Sequence, residues 1–426
     1  MAKPSVRVLL WASLVSLHLN AQNFPGWYTY DTLSSPLPSN LVTSLAVGPD
    51  RTMWIGTAAG LVALSEQLNW TIYDTANSPL TDNWIKCLYM ESSGVLWIGT
   101  LQGGLFSLDN GVWSHYSTAN APWLTNNISA ITRRASGDLW VGTHGQGIFV
   151  LSGGTWQHFN QANTGHDLTF VNDLEADDSN CVWVATHNAG LLKFCGQSWT
   201  AYNPLNTNFN TAHVQAVCLE AEGYVWVGLA GSRPDSALHR LDRSTGQWTI
   251  YGSHSTGGEG IGSVWDIRVD QFGRKWIATN EITRGAWLFN DTLFTVFNAG
   301  YCGLTNNRVL AVAERQDTSY WFATISGLSL YKPSLAASNS LFPVSAPSLF
   351  VGPVPTADYL LIKLDVAWGA DVTVRLLEAT GATVQQWSFT HLETKQILPL
   401  HTLPPGPYVL EVRGGEYVTF RKFVKI

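Results

Sequence analysis

One hairpin recurs seven times along this chain, and that recurrence limits the possible folds more than any other feature. It reads MWIGTAAGLVAL from Met53 to Leu64, LWIGTLQGGLFSL from Leu96 to Leu108, LWVGTHGQGIFVL from Leu139 to Leu151 and VWVATHNAGLLKF from Val182 to Phe194, with looser copies around Trp226, Trp276 and Trp321. The tryptophans Trp54, Trp97, Trp140, Trp183, Trp226, Trp276 and Trp321 are spaced by 43, 43, 43, 43, 50 and 45 residues. A strand-turn-strand unit at this period is the signature of a four-stranded blade repeated around an axis. Each unit runs in the same order: a polar loop, an inner strand such as Asn40 to Val47, a turn bearing Gly, Asp or Glu, the tryptophan strand with its hairpin, and an outer aromatic strand.

The outer aromatic strand is itself a repeat, out of phase with the first. It appears at Gly26 to Tyr30, at Asn69 to Tyr73, around Trp113, Trp156, Trp199 and Trp248, and at Phe294 to Phe297, with no copy after Trp321. The last unit therefore lacks an outer strand of its own, while the N-terminus has one to spare. An unpaired sheet edge is a liability, so the expected fold is all-β: a seven-bladed β-propeller over residues 22–333, closed by the strand at Trp27 to Tyr30. The tryptophans are expected to pack between blades, where each aromatic hides about 150–250 Å².

Composition agrees with a fold of many tight turns: 45% hydrophobic, 13% charged, 20 Trp and 38 Gly. A net charge of −7 gives no basic footprint for nucleic acid or anionic lipid. Lys3 and Arg7, the apolar run from Val8 to Leu19 and the small residues before Gln22 read as a signal peptide over residues 1–21. No later stretch nears 18 apolar residues, so no transmembrane segment is expected in the mature chain. Of five cysteines, Cys181 and Cys195 flank one hairpin almost symmetrically, so an exported protein could join them as a cross-strand disulfide or keep them as two buried thiols.

After Pro333 the pattern stops. Residues 334–347, rich in Ser, Ala and Pro, read as a linker, and residues 348–426 hold five or more short strands, expected as a small β-sandwich.

The W-[IV]-G-T-x-x-G-[LI] hairpins and the Asn-x-[VI] strands before them resemble two-component-regulator propeller repeats, best known from extracytoplasmic sensor regions of hybrid histidine kinases. The likeness covers about Gln22 to Pro333, with one ring, no membrane span and no kinase region. The C-terminal module resembles the type A sorting domain of the type IX secretion system. That likeness is carried by Val351-Gly-Pro-Val-Pro355, the strand from Leu376 into Gly381, Leu403-Pro-Pro-Gly-Pro-Tyr408 and the basic strand from Arg421 to Ile426. A valine, Val354, stands where the sorting family has Asn between prolines. The resemblance implies Pro353, Pro355, Gly381, Gly406, Tyr408 and Lys425 as sorting residues, outer-membrane secretion machinery as partner, and the surface or surroundings of a Gram-negative bacterium as destination.

No metal spacing, nucleophile elbow or phosphate loop appears, and no cofactor or metal is expected. Candidate ligand-binding residues are those on the loops of one propeller face: Trp123, His144, His187, Arg233, Glu281 and Arg284. His144 and His187 follow Gly142-Thr143 and Ala185-Thr186 at equivalent places in adjacent units, which either sets two imidazoles side by side near the rim or reflects His as a tolerated turn-entry residue. Acidic turn residues such as Asp50 and Asp138 belong to the opposite face. The chain thus reads as a secreted or surface binding module for a glycan, peptide or protein. One alternative is an extracellular polysaccharide lyase or hydrolase using His144, His187 and Arg284, and another is a structural or adhesion component.

Overall fold

A computed structural model describes residues 26–121, 125–231, 236–256, 260–300, 302–333, 349–352, 359–364, 372–378, 382–390, 395–414 and 417–425. The expected signal peptide 1–21 and the expected linker 334–347 lie outside the described residues, as do Trp123, Arg233, Pro353, Pro355 and Gly381. The chain divides into two compact units, Met1–Lys332 and Pro333–Ile426. Among the described residues both are built of β-strands, with a helical turn at Gln161–Thr164 in the first.

The first unit contains seven four-stranded antiparallel sheets. The first sheet is Val42–Val47, Met53–Thr57, Gly60–Leu64 and Trp70–Tyr73, and the next five repeat that order. The seventh takes Val309–Arg315, Ser319–Thr324 and Gly327–Tyr331 and is completed by Trp27–Tyr30, paired Trp27 to Tyr331 and Tyr30 to Leu328. Inner strands touch in cyclic order, from Val42–Val47 through Ile85–Met90, Ile128–Arg133, Val171–Ala176, Val214–Glu220 and Val264–Val269 to Val309–Arg315, which contacts Val42–Val47 again.

The sequence motif has a local cause. The threonine of each Gly-Thr or Ala-Thr pair donates its hydroxyl to the glycine that opens the following strand, as in Thr57 to Gly60 O (2.8 Å), Thr143 to Gly147 O (2.7 Å) and Thr279 to Gly285 O (2.6 Å). Gly147 has φ +89°, and a Cβ there would lie 2.3 Å from Phe159 O on the outer strand, so only glycine closes this turn.

Two sets of aromatic contacts then bind the sheets. Within each sheet the signature tryptophan lies against the last aromatic of the outer strand, as Trp183 does on Tyr202 at 5.8 Å and Trp321 on Tyr30 at 5.9 Å. Between sheets that same aromatic meets the first aromatic of the next outer strand. The pairs are Tyr73 with Trp113, Tyr116 with Trp156, Phe159 with Trp199, Tyr202 with Trp248, Tyr251 with Phe294, Phe297 with Trp27 and Tyr30 with Trp70, all at 5.6–5.9 Å. The girdle returns to its start through the two aromatics of the N-terminal strand. Cys181 and Cys195 are joined by a disulfide.

In the second unit, Leu349–Gly352, Tyr359–Leu364 and Lys395–Pro399 form one sheet, while Thr383–Phe389, Val372–Glu378, Gly406–Gly414 and Tyr417–Lys425 form another. Leu360, Ile362 and Leu398 from the first share one buried cluster with Val374, Leu376, Leu410 and Val412 from the second.

Candidate binding rim

At one end of each of the seven sheets of the first unit, the residue after the signature strand donates its backbone N–H to the residue just before the inner strand, as His144 does to Asn127 O (3.1 Å) and His187 to Phe170 O (3.0 Å). This brings the central hairpins and the entries to the inner strands onto one rim. The inner strands also share a register shift at their second residue, in all seven sheets. A bulge breaks the alternation of faces and re-aims a side chain. Three of these second residues reach the next inner strand: Thr43 bonds Ile85 O (2.6 Å), Ser129 bonds Val171 O (2.5 Å) and Asn172 bonds Val214 O (2.8 Å).

Lys86, at the same place in the second sheet, turns instead toward the rim. Its Nζ donates to Asn127 Oδ1 (2.8 Å) and to His144 Nδ1 (3.2 Å), which leaves His144 as the Nε2–H tautomer. From there a row of rings continues along the rim. His144 meets the edge of Phe170 at 5.6 Å, Phe170 meets His187 at 6.0 Å, and His187 lies 3.9 Å from His213, whose Nε2 pairs with Gln215 Oε1 (3.2 Å). Burial, and then the Lys86 ammonium, push the His144 pKa down to about 4. Burial, with His187 alongside, lowers that of His213. His144 is therefore neutral at pH 7, next to a cation. Phe170 is 41% exposed, and Trp84, in the equivalent place of the second sheet, is 39% exposed.

Further along the inner strands Asp173, Glu175, Asp266 and Arg268 form an ionic group. Asp173 Oδ2 accepts the Val217 N–H (3.0 Å) and Asp266 Oδ2 accepts the Val312 N–H (2.9 Å), so each carboxylate caps an edge amide of the next inner strand. Burial raises Asp173 and Glu175 to about 7 each. Arg268, 3.7 Å from Asp266, keeps 51% of its side chain exposed, so solvent reaches this group.

Of the residues singled out from sequence, His144 and His187 are brought together on either side of Phe170. Arg284 and Glu281 are not with them but in the central hairpin of the sixth sheet. Glu281 Oε1 accepts the Ser263 N–H (3.0 Å), and Gly262 packs so closely that a Cβ there would lie 2.7 Å from Glu281 Cγ and 3.2 Å from Arg284 Cδ. Lys86, Phe170, His213 and Asn172 were not selected from sequence. The available signal was positional, since Phe170 and His213 hold the place of Trp84. Among the described residues no group of side chains has the makings of a metal site. In the second unit, Gly406 and Lys425 pair at one end of adjacent strands, and the buried Tyr408 donates its hydroxyl to Pro404 O (2.9 Å).

These features meet known proteins at two points. The two component regulator propeller family matches residues 36–59 and 79–102, and the secretion system C-terminal sorting domain matches residues 351–426. The chain thus carries both modules, and the second implies the type IX secretion machinery as a partner. The extracellular domain of a hybrid two-component system of B. thetaiotaomicron superposes with a TM-score of 0.65 at 16% identity, over 94% of this chain and 57% of that one. PorZ, a surface component of the type-IX secretion system of Porphyromonas gingivalis, superposes at 0.57 and 16% identity, over 91% and 60%. Streptogramin B lyase does so at 0.58 and 16%, over 72% and 97%. At such identities the likeness is one of fold, and the chain spans less than two thirds of the first two proteins' length. No curated protein matches the chain in sequence. No helix among the described residues is long and apolar enough to cross a membrane. The sorting domain points to a secreted or cell-surface protein.

Proposed function

We propose that residues 22–333 form a seven-bladed propeller, closed by its N-terminal strand, that binds an anionic glycan on the rim, and that residues 348–426 form a sandwich read by the outer-membrane secretion machinery. The observation that carries the binding reading is the row from Lys86 through His144, Phe170 and His187 to His213. It offers one ammonium for a carboxylate or sulfate, imidazole N–H groups for sugar hydroxyls, and the exposed faces of Phe170 and Trp84 for a pyranose ring. Thermal shift against acidic and neutral polysaccharides tests it. A ligand at 100 times its dissociation constant adds about 2.7 kcal/mol, and the rise is expected with acidic chains and lost in Lys86→Met. A flat panel overturns the reading in favour of a protein partner or a structural role.

A second reading, a polysaccharide lyase, is favoured by one observation: the Lys86 ammonium, held by His144 Nδ1, shares the rim with the imidazoles of His187 and His213, so a cation and proton acceptors lie along one row. Arg284, in a different hairpin, is not required by it. Cleavage of the bound polysaccharide that disappears in a His144→Ala, His187→Ala double variant supports this reading, and unchanged cleavage removes it.

A further inference from the structure

The signature tryptophans differ in what surrounds them on the face opposite the rim. Six are buried, from Trp97 at 6% exposure to Trp226, Trp276 and Trp321 at 0%, whereas Trp54 is only half-buried. The residue six positions earlier accounts for the difference. It is Glu91, Asp177, Glu220 and Asp270 in four sheets, and each accepts the indole N–H, as Asp177 Oδ2 does from Trp183 (3.1 Å) and Glu220 Oε2 from Trp226 (2.7 Å). It is arginine in two, with the guanidinium carbon of Arg134 lying 5.5 Å from the Trp140 ring centroid and that of Arg315 lying 5.6 Å from Trp321. In the first sheet it is Gly48.

Where that side chain would stand there is a cleft of about 500 Å³, lined by Gly48, Asp50 and Trp54 together with Tyr73 and Trp113. The seventh sheet shows what belongs in such a space. Arg315 reaches over Trp321 and pairs through Nη2 with Asp317 Oδ2 at 2.7 Å, Asp317 standing four residues before the tryptophan. Asp50 stands four residues before Trp54 and is held the same way, its Oδ1 accepting the Thr52 N–H at 3.1 Å as Asp317 Oδ1 accepts the Ser319 N–H at 3.1 Å. The neighbouring Arg51 turns to Glu66 (3.1 Å). The aromatic face and the carboxylate are thus both present, and the guanidinium they hold elsewhere in this chain is missing.

We propose that this cleft binds the side chain of an arginine carried by another polypeptide. The guanidinium lies over the Trp54 indole, where a cation is attracted by the ring face, and donates to Asp50. Its aliphatic stem runs along Tyr73 and Trp113. The site is on the face away from Lys86 and His144, so it stands or falls separately from the rim.

The test follows the Trp54 indole N–H resonance in the 15N-labelled whole chain, assigned with Trp54→Phe, during titration with N-acetyl-L-argininamide and with its uncharged isostere N-acetyl-L-citrullinamide. Saturable movement with the arginine probe, and binding about tenfold weaker for the citrulline probe, is expected. A second variant, Gly48→Arg, refills the cleft from within. A Cβ at Gly48 meets the Asp50 Oδ1 at 2.5 Å, so that side chain must swing aside, while the nearest backbone atom, Thr52 O, lies at an ordinary 3.5 Å. That variant is expected to remain folded, with the Trp54 resonance displaced before any probe is added and unresponsive afterwards. Equal response to both probes, no response to either, or a Gly48→Arg chain that still titrates like the parent overturns the proposal.

Discussion

The ring of Tyr30 lies 5.6 Å from the indole of Trp70, which sets the last aromatic of the N-terminal strand against the outer strand of the first sheet while its backbone is paired within the seventh. Trp27 makes the complementary contact backwards, to Phe297 at 5.9 Å, and stacks on Tyr331 at 4.8 Å. Trp27→Ala removes both and is expected to cost about 3 kcal/mol, the low end for a large aromatic because the ring is only partly buried. Urea unfolding followed by far-UV circular dichroism should show a lower midpoint with an unchanged slope. Removing all residues before Leu41 should additionally steepen the loss by baring the edge of Gly327–Tyr331.

Asp173 gives stability a pH dependence of definite sign. Its folded pKa, about 7, lies above the ordinary carboxylate value because burial disfavours the anion. The folded chain therefore holds a proton that the unfolded chain releases, and stability falls as pH rises from about 4 to 7. Asp173→Asn keeps an acceptor for the Val217 N–H and removes the charge. Its advantage over the parent is expected to grow across that window and to level off at about 1–2 kcal/mol above it, after discounting for solvent around Arg268. Denaturation curves at pH 5 and pH 8 measure this, and an advantage that shrinks with pH contradicts it.

His144 works in the opposite direction. A histidine whose folded pKa is about 4 contributes stability that is present above pH 6.5 and lost as pH falls toward 4. Replacing Lys86 with methionine removes the second cause of that depression and leaves burial. The His144 pKa, read from imidazole proton shifts, is expected to rise in Lys86→Met while staying below that of a free imidazole. A lower value in the variant rules out the ammonium as a cause.

The disulfide closes a loop between residues 14 apart in sequence. In the chain-entropy account a loop of this size is worth about 3 kcal/mol. Cys195→Ser, compared with the parent under oxidising conditions, is expected to lose up to that amount, and the two should converge when the parent is reduced.

The girdle and the use of Trp27–Tyr30 in the seventh sheet were legible because repetition counts strands without needing their coordinates: one repeat lacked a member where the other had a spare. The rim was legible only in part. His144 and His187 could be found as equivalents of each other. Lys86 could not, because reading Ile85-Lys86-Cys87 by strict alternation places neighbours on opposite faces, and the bulge between Ile85 and Cys87 overrides that. Phe170 and His213 share a repeat position with Trp84, but three different side chains in one slot leave no pattern to read. Gly48 was hidden for a related reason: a residue that matters by what it leaves out draws no notice until its six counterparts are seen in place.

The pairing of Tyr30 with Leu328 has a consequence in time as well as in space. A chain emerging from the ribosome presents the N-terminal strand first and its partner strand some three hundred residues later, and contacts of such wide sequence separation form slowly because the intervening loop must be closed first. The first six sheets can assemble hairpin by hairpin as they appear, each from strands adjacent in sequence. The seventh cannot, so until Gly327–Tyr331 has been made the first unit stays an open arc whose final act is the capture of its own beginning, and the rate of that capture sets how long the nascent protein remains unlocked.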